Sequence, residues 1–214
     1  MKTTRLMQQD FLESVTLARR AGIPFVPTQG LWRKDDIQKT VRKIPFPWAM
    51  KAAGKKLLHK TDAGGVALDI QNERDAQKIF QRMKRIRNCE YVVVQPMRKG
   101  IELIVGGKID PQFGPLVLVG SGGIYTEVLK DVRMRISPIG TKDAEAMIKG
   151  LAIYPILKGV RGQKGVRMSE LIKIILGADK LMRSGKIAEL DLNPVLATPQ
   201  KVEGVDVRII PESL

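Results

Sequence analysis

Residues Lys55–Ile70 read KKLLHKTDAGGVALDI and contain His59, the only histidine in a chain of 214 residues. Lysines flank this histidine, and Gly64 and Gly65 follow it before a strand-like segment. A neutral imidazole in positive surroundings is a competent phosphoryl nucleophile, and successive glycine amides can cradle an anion. An isolated histidine can equally make a structural hydrogen bond in a loop, so this stretch alone leaves both interpretations open.

The composition indicates a globular protein: 43% of the residues are hydrophobic and 28% are charged. Cys89 is the only cysteine, which excludes an internal disulfide and a cysteine-rich metal site. No apolar run approaches the ~20 residues of a membrane helix, and the N-terminus lacks the pattern of a signal peptide. We therefore expect a cytoplasmic protein without a membrane segment.

The net charge of +15 points to anionic ligands or to an acidic partner chain. Aromatic residues make up only 5% of the chain, so it offers few platforms on which nucleic-acid bases could stack. We expect phosphate-bearing ligands and do not expect nucleic acid. A non-catalytic module that binds nucleotides or nucleic acid is kept as an alternative.

Helical and strand-like segments alternate along the chain, which predicts an α+β fold. In GVALDI the alternation places Val66, Leu68 and Ile70 inward. Asn72 is expected to cap a helix that runs to Arg87. The run EYVVVQPM predicts a buried strand, and GVDVRII predicts a strand that carries Asp206.

Two strand ends could contact a nucleotide. The strand that ends in Gln95-Pro96-Met97 can offer backbone groups to a base, and Glu102 beyond the next turn can offer a carboxylate to a ribose. Met97 is also an ordinary core residue. The turn at Gly122-Gly123 can bind a phosphate or acyl group through its backbone, or it is simply a tight turn.

Asp191 and Asn193 lie two residues apart on one predicted strand, so they share a face of the sheet. With Asp206 on the next predicted strand they form a set of hard oxygen ligands of the kind that Mg²⁺ binds. The alternative interpretation is that these side chains cap strand ends and face solvent.

Taken in order, these segments resemble one family, the ATP-grasp subunit of the ADP-forming acyl-CoA synthetases, which is related to succinyl-CoA synthetase. The resemblance covers most of the chain. It rests on MKAAGKKLLHKTDAGGVALDI, VVVQPMRKGIELIVGGKIDPQFGPLVLVGSGGIYTEVLKDV, RISPI, YPILKGVRG and ELDLNPV.

The resemblance implies an ATP-grasp fold with the nucleotide between the sheets of two α+β lobes, a small lobe of roughly residues 20–95 and a large lobe of roughly residues 96–214 plus the N-terminal helix. It implies that Lys51 contacts nucleotide phosphates and that His59 carries a phosphoryl group. The remaining implied nucleotide contacts are Gly64, Gly65, Gln95, Pro96, Met97 and Glu102. The implied Mg²⁺ ligands are Asp191, Asn193 and Asp206. Further phosphate or loop contacts are expected at Lys60, Asp62, Gly122, Gly123, Glu127 and Arg135.

The reaction implied by the resemblance is acyl-CoA + ADP + Pi ⇌ acid + CoA + ATP. An α subunit with the CoA-binding and acyl-phosphate-forming domains is expected as partner, in an α2β2 assembly, and the chain alone is not expected to make acyl-CoA. A free-standing ATP-grasp ligase that joins a carboxylate to an amine is the alternative enzyme.

Overall fold

The computed structural model describes residues 8–57, 63–123 and 131–212. The chain divides into two compact units. The smaller unit contains Asp10–Glu13 and Val26–Arg98, and the larger contains Ser14–Phe25 and the chain from Lys99 onward. The first helix, α1, spans Phe11–Arg20, so its first residues belong to the smaller unit and the rest to the larger. Each unit combines helices with an antiparallel sheet, which confirms the α+β class.

The smaller unit has, among its described residues, a four-stranded sheet in the order β1-β4-β2-β3. Its elements are β1 Gln29–Leu31, α2 Asp36–Val41, β2 Trp48–Ala53, β3 Val66–Ile70, α3 Glu73–Lys84 and β4 Tyr91–Pro96. Every residue of β2 and β4 is buried, as expected for the two central strands.

The two faces of this sheet are covered differently. Helices α2 and α3 pack on one face, where Trp48 and Met50 meet Phe80 and Met83. On the opposite face Ala53, Tyr91 and Val93 are packed by Phe11 and Leu12 of α1.

The predicted alternation in β3 is wrong at Leu68. This side chain is 58% exposed, whereas Ile70 is 3% exposed and Ala67 packs on the core. The reason is a bulge: Trp48 pairs with Ile70, but Met50 pairs with Ala67, so β3 has one more residue than β2 over this interval. Asp69 lies in the bulge with a positive φ of 57°.

The predicted cap of α3 is confirmed. Asn72 has an extended conformation, and its side-chain oxygen accepts a hydrogen bond from the Asp75 backbone N–H at 2.9 Å. The helix ends at Lys84, earlier than the predicted Arg87.

The larger unit has, among its described residues, a six-stranded sheet in which β10-β8-β5-β6-β7 are neighbours in that order and β9 also pairs with β8. Its elements after α1 are β5 Ile101–Asp110, β6 Gly114–Ser121, β7 Val132–Ile136, α4 Thr141–Lys149, α5 Tyr154–Lys158, α6 Met168–Met182, β8 Ile187–Ala197, β9 Val202–Gly204 and β10 Arg208–Pro211.

Helix α6 covers one face of this sheet and contacts β5, β6 and β8. A Cβ at Gly107 would lie 2.5 Å from Cγ of Met182 and 2.6 Å from the carbonyl oxygen of Leu116. Glycine is therefore required here for the helix and the neighbouring strand to approach. The opposite face, which is called the open face below, carries the exposed side chains of Met134 and Ile136.

The end of the chain differs from the prediction. A short strand, β9, forms just before the predicted strand, and Asp206 lies in the link between β9 and β10 rather than on a strand. Helix α5 was also not predicted, although Pro155 near its start is a common signal for a first helical turn. No helix among the described residues is long and apolar enough to cross a membrane.

Candidate functional site

Four of the predicted site residues, His59, Lys60, Asp62 and Glu127, lie outside the described residues. The roles assigned to them therefore stay predictions. The structure does describe the chain on both sides of His59, and these flanks are in the smaller unit.

The two glycines after His59 differ in what they do. Gly64 has φ of +66°, a conformation that only glycine adopts at little cost. The carbonyl oxygen of Gly65 accepts a hydrogen bond from the Ala52 backbone N–H at 2.7 Å, and Val66 pairs with Lys51. The structure thus brings the glycine turn beside Lys51.

Lys51 and Gln95 lie on the same face of the smaller sheet. Lys51 pairs with Val93 and Ala49 pairs with Gln95 across β2 and β4, and residues paired in this way share a face. This is the face opposite α2 and α3. Lys51 is buried, with Nζ 6.0 Å from the centre of the Phe11 ring, and Nε2 of Gln95 donates to Oγ1 of Thr28 at 3.1 Å.

Tyr91 lies one row further along this face. Burial, followed by its hydrogen bond to Asp10, raises the pKa of the Tyr91 hydroxyl well above its usual range. The hydroxyl therefore stays protonated and donates to Oδ2 of Asp10 at 2.7 Å. It thus adds no negative charge beside Lys51.

The strand end at Pro96 and Met97 lies against the segment before β2. The Met97 backbone N–H donates to the Pro47 carbonyl oxygen at 2.8 Å. Met97 and Pro96 line a small cavity of about 110 Å³ together with Phe46, Lys43 and Arg98. Met97 is therefore not an ordinary core residue, because it borders a cavity that Lys43 and Arg98 also line.

In the larger unit, Glu102, Gly122 and Gly123 line one cavity of about 460 Å³. The Gly122 backbone N–H donates to the Glu102 carbonyl oxygen at 2.8 Å. A Cβ at Gly123 would lie 2.7 Å from Oε2 of Glu102, so a side chain there would displace the carboxylate. The structure brings Glu102 together with two glycines that begin 20 positions later in the sequence.

The predicted metal ligands lie elsewhere on the larger sheet. Asp191 pairs with both Gly106 and Arg208, and Gly106 pairs with Leu118. These residues share the face opposite α6, and Asn193 is exposed two residues further along β8. The Val205 backbone N–H donates to the Pro194 carbonyl oxygen at 3.0 Å, which places Asp206 near Asn193.

These three side chains fit Mg²⁺ by their chemistry, since two carboxylates and an amide oxygen are hard donors. Among the described residues no three or more His, Cys, Asp or Glu side chains cluster as a metal site. The predicted set contains only two side chains of those types.

Arg135 is not brought together with the predicted metal ligands. On edge strand β7 it pairs with Val117, whereas its neighbour Met134 pairs with Leu118. Successive residues of a strand point to opposite faces. Arg135 therefore lies on the face that α6 covers, and Met134, 52% exposed, shares the face of Asp191.

Sequence reasoning did not identify several residues around these sites. Ile153 and Ile156 line the cavity of Glu102. Arg208, opposite Asp191, forms an ion pair with Glu189 on the open face of the sheet. The segment YPILKGVRG carried a family resemblance, but the position of its Ile156 in the wall of the Glu102 cavity depends on tertiary structure that no local pattern predicts.

The larger unit therefore combines hard oxygen donors on an open sheet face with a cavity lined by a carboxylate and glycine amides. The smaller unit presents a buried lysine beside a glycine turn. Groups of these kinds are chemically suited to nucleotide phosphates, a divalent cation and a ribose.

Residues 3–210 match the family model of the ATP-grasp domain. The chain therefore belongs to the ATP-grasp family, which confirms the predicted fold. Within this family it belongs with the ADP-forming acetate–CoA ligases. It is 36% identical to the β subunit of acetate–CoA ligase [ADP-forming] I of Pyrococcus furiosus, over 92% of this chain and 89% of that subunit.

Other relatives are much longer. The chain is 36% identical to acetate–CoA ligase [ADP-forming] II of Archaeoglobus fulgidus, over 92% of this chain but only 29% of that protein. The chain thus spans less than a third of this relative and nearly the whole of the Pyrococcus subunit.

The fold also matches a solved structure of acetyl-coenzyme A synthetase 1 from Candidatus Korarchaeum cryptofilum. The TM-score is 0.84 at 33% identity, over 96% of this chain and 93% of that one. That structure contains coenzyme A and Mg-AMPPCP, with a phosphohistidine segment that points towards the nucleotide-binding site.

Proposed function

We propose that this chain is the nucleotide-binding subunit of an ADP-forming acyl-CoA synthetase, in which His59 passes a phosphoryl group to ADP. The observation that carries the proposal is the match to a β subunit of such a ligase over nearly the full length of both chains. The net reaction is acyl-CoA + ADP + Pi ⇌ acid + CoA + ATP.

The nucleotide would be held by the groups that membership of the family implies. Lys51 is buried on β2, and its ammonium group would meet a phosphate oxygen. The strand end from Gln95 to Met97 would face adenine, and Gly64 and Gly65 would approach the phosphates. Glu102 would accept hydrogen bonds from the ribose hydroxyls, with Gly122 and Gly123 leaving room for them.

Asp191, Asn193 and Asp206 would hold Mg²⁺. When bound, Mg²⁺ neutralises phosphate charge during phosphoryl transfer. The protein's own contribution is to fix the oxygen donors: β8 holds Asp191 opposite Gly106, and the hydrogen bond from Val205 to Pro194 holds the link that carries Asp206 beside the segment of Asn193.

The chemical step needs few groups. Phosphorylated His59 would lose its phosphoryl group to a terminal oxygen of ADP, breaking a P–N bond and forming a P–O bond. Positive charge around the transferred group stabilises the transition state. Lys60 and Asp62 beside His59, together with Glu127, remain further proposed contacts, whereas Arg135 is set aside because it lies on the face of the sheet that α6 covers.

A partner is part of this proposal. We infer an α subunit that carries the CoA-binding and acyl-phosphate-forming domains, in an α2β2 assembly within the cytoplasm. The acid substrate would be selected mainly by that partner.

Labelling with γ-labelled ATP and Mg²⁺ tests the proposal directly. We expect label on the chain that is labile in acid and stable in base, as phosphohistidine is. Because His59 is the only histidine, phosphohistidine has one possible location, and mapping of the label distinguishes it from phospholysine. The His59→Ala variant should bind ATP normally and take up no label.

Two outcomes would contradict the proposal. Label that persists in His59→Ala would show another acceptor. Full turnover by His59→Ala in a carboxylate–amine ligation would instead establish the free-standing ligase. If the chain is unlabelled alone, the assay is repeated with the candidate α subunit, and failure there would reject the phosphoryl-carrier role.

A further inference from the structure

The cavity lined by Glu102 has an apolar wall formed by Ile153 and Ile156. Ile156 belongs to α5, a helix of only five residues, and Ile153 directly precedes it. A helix of this length does not hold its own position in water. Something else must therefore fix this wall.

The side chain of Asp131 holds it. Oδ1 accepts a hydrogen bond from the Ala152 backbone N–H at 2.8 Å, and Oδ2 accepts one from the Ile153 backbone N–H at 3.1 Å. This carboxylate is only 2% exposed, and the Arg133 guanidinium lies 3.7 Å from Oδ1. A buried carboxylate that accepts two backbone hydrogen bonds fixes the backbone strongly.

The backbone of Asp131 holds the other side of the cavity. Its carbonyl oxygen accepts a hydrogen bond from the Ser121 N–H at 3.0 Å, directly before the turn at Gly122 and Gly123. The Gly122 N–H in turn bonds to Glu102. One residue therefore connects the glycine turn to the apolar wall.

We propose that Asp131 is a positioning residue that sets the width of this cavity and thereby the affinity for the nucleoside part of ADP. This inference rests on the proposed function, which assigns Glu102 to the ribose. Asp131 acts through Ile153 and through the glycine turn, and it does not touch the nucleotide.

Asp131→Asn is the sharpest variant because it preserves shape. An asparagine keeps one acceptor oxygen but turns an amide N–H₂ towards one of the two backbone N–H groups, which loses its partner. The wall at Ile153 should then move. We expect the Kd for ADP with Mg²⁺, measured by calorimetry on the full chain, to rise about five- to tenfold.

Asp179→Asn is the matched control. Asp179 on α6 is also 2% exposed. It accepts hydrogen bonds from the Ser137 hydroxyl, from the Ile139 backbone N–H and from Arg183. It lines no part of the cavity. We expect both variants to lose thermal stability, but only Asp131→Asn to lose ADP affinity. Labelling of His59 at saturating ATP should be unchanged in Asp131→Asn.

The outcomes separate this inference from the proposed function. If the unmodified chain binds no ADP, both fail. If it binds ADP and Asp131→Asn binds equally well, only the positioning role fails. An equal loss of affinity in Asp179→Asn would also reject it, because the effect would then follow general stability.

A double-mutant cycle tests the route through the wall. Ile153→Val shortens the side chain that lines the cavity and leaves the Asp131 carboxylate unchanged. Circular dichroism checks that each variant is folded. We expect the effects of Asp131→Asn and Ile153→Val on ADP affinity to be non-additive. Additive effects would show that Asp131 does not act through Ile153.

Discussion

At the scale of single residues, the surroundings of Cys89 are expected to slow the reactions of its thiol. Burial raises the pKa of the Cys89 thiol, and Sγ lies 3.3 Å from the Tyr91 carbonyl oxygen. Because the thiolate is the nucleophile, we expect slow reaction with a disulfide reagent at pH 8, about tenfold faster with each pH unit up to the raised pKa. Stopped-flow measurement on the folded chain and in guanidinium compares the two states.

Cys89 is the only cysteine, so Cys89→Ala supplies the blank for this measurement. Equal rates in the folded and unfolded chain would show that the thiol is not protected.

Asp36 predicts a dependence of stability on pH. The strongest cause is the Arg33 backbone N–H, which donates to the Asp36 carboxylate at 2.9 Å and lowers its pKa. Burial partly opposes this and raises the pKa. The Trp32 N–H and the charges of Lys39 and Arg33 lower it further. Because the pKa of Asp36 is lowered in the folded chain, the carboxylate stabilises the fold above about pH 4, its pKa in the unfolded chain. This stabilisation is lost as the pH falls through the pKa in the folded chain.

Chemical denaturation between pH 5 and pH 2.5 measures this contribution. In Asp36→Asn the free energy of unfolding should change less over this pH range, by less than about 1 kcal/mol, because the Asp36 carboxylate is near solvent. The control is Asp35→Asn, since the Asp35 side chain makes no capping hydrogen bond. If Asp35→Asn flattens the curve equally, the hydrogen bonds to Asp36 are not the cause.

At the scale of elements, the bulge in β3 makes neighbouring positions respond differently. Ile70→Ala should lower the free energy of unfolding by about 2–5 kcal/mol, because Ile70 packs in the core under α3. Leu68→Ala should change it by less than about 0.5 kcal/mol, because the side chain is exposed. Denaturant unfolding of both variants measures these changes. A large loss of unfolding free energy in Leu68→Ala would contradict the bulge and support the simple alternation that places Leu68 inward.

The same elements show what sequence can predict. The strand VVVQP and the cap at Asn72 depend on local propensity and were predicted correctly. The exposure of Leu68 depends on the pairing of β3 with β2, and the position of α5 depends on hydrogen bonds to Asp131, 21 residues earlier. These long-range effects leave no local signal.

The site follows the same division. That Asp191 and Asn193 lie on one strand could be predicted from the sequence, whereas the register shift of β8 beside Asn193 could not. The link that carries Asp206 could not be predicted, since it depends on the formation of β9. Ile153 was missed because apolar residues are ordinary core residues until a cavity is seen beside them.

At the scale of the whole molecule, nucleotide binding should stabilise the fold. A ligand at about 100 times its Kd adds about 2.7 kcal/mol to the free energy of unfolding. We therefore expect ADP with Mg²⁺ to raise the melting temperature of the chain. Asn193→Ala should reduce the part of this rise that depends on Mg²⁺.

The controls are Mg²⁺ alone and ADP with a chelator. An unchanged melting temperature at millimolar ADP with Mg²⁺ would contradict the assignment of a nucleotide site to this chain.

The division of α1 limits how this protein can be rearranged by gene engineering. Residues 26–98 look like a continuous cassette, yet Phe11 and Leu12 pack on Ala53, Tyr91 and Val93, and Asp10 accepts the Tyr91 hydroxyl hydrogen bond. If residues 26–98 were transferred alone, the apolar surface of Ala53, Tyr91 and Val93 would be uncovered. The buried Tyr91 hydroxyl would also lose its acceptor. Any exchange of the smaller unit between relatives must therefore carry the first turn of α1 with it.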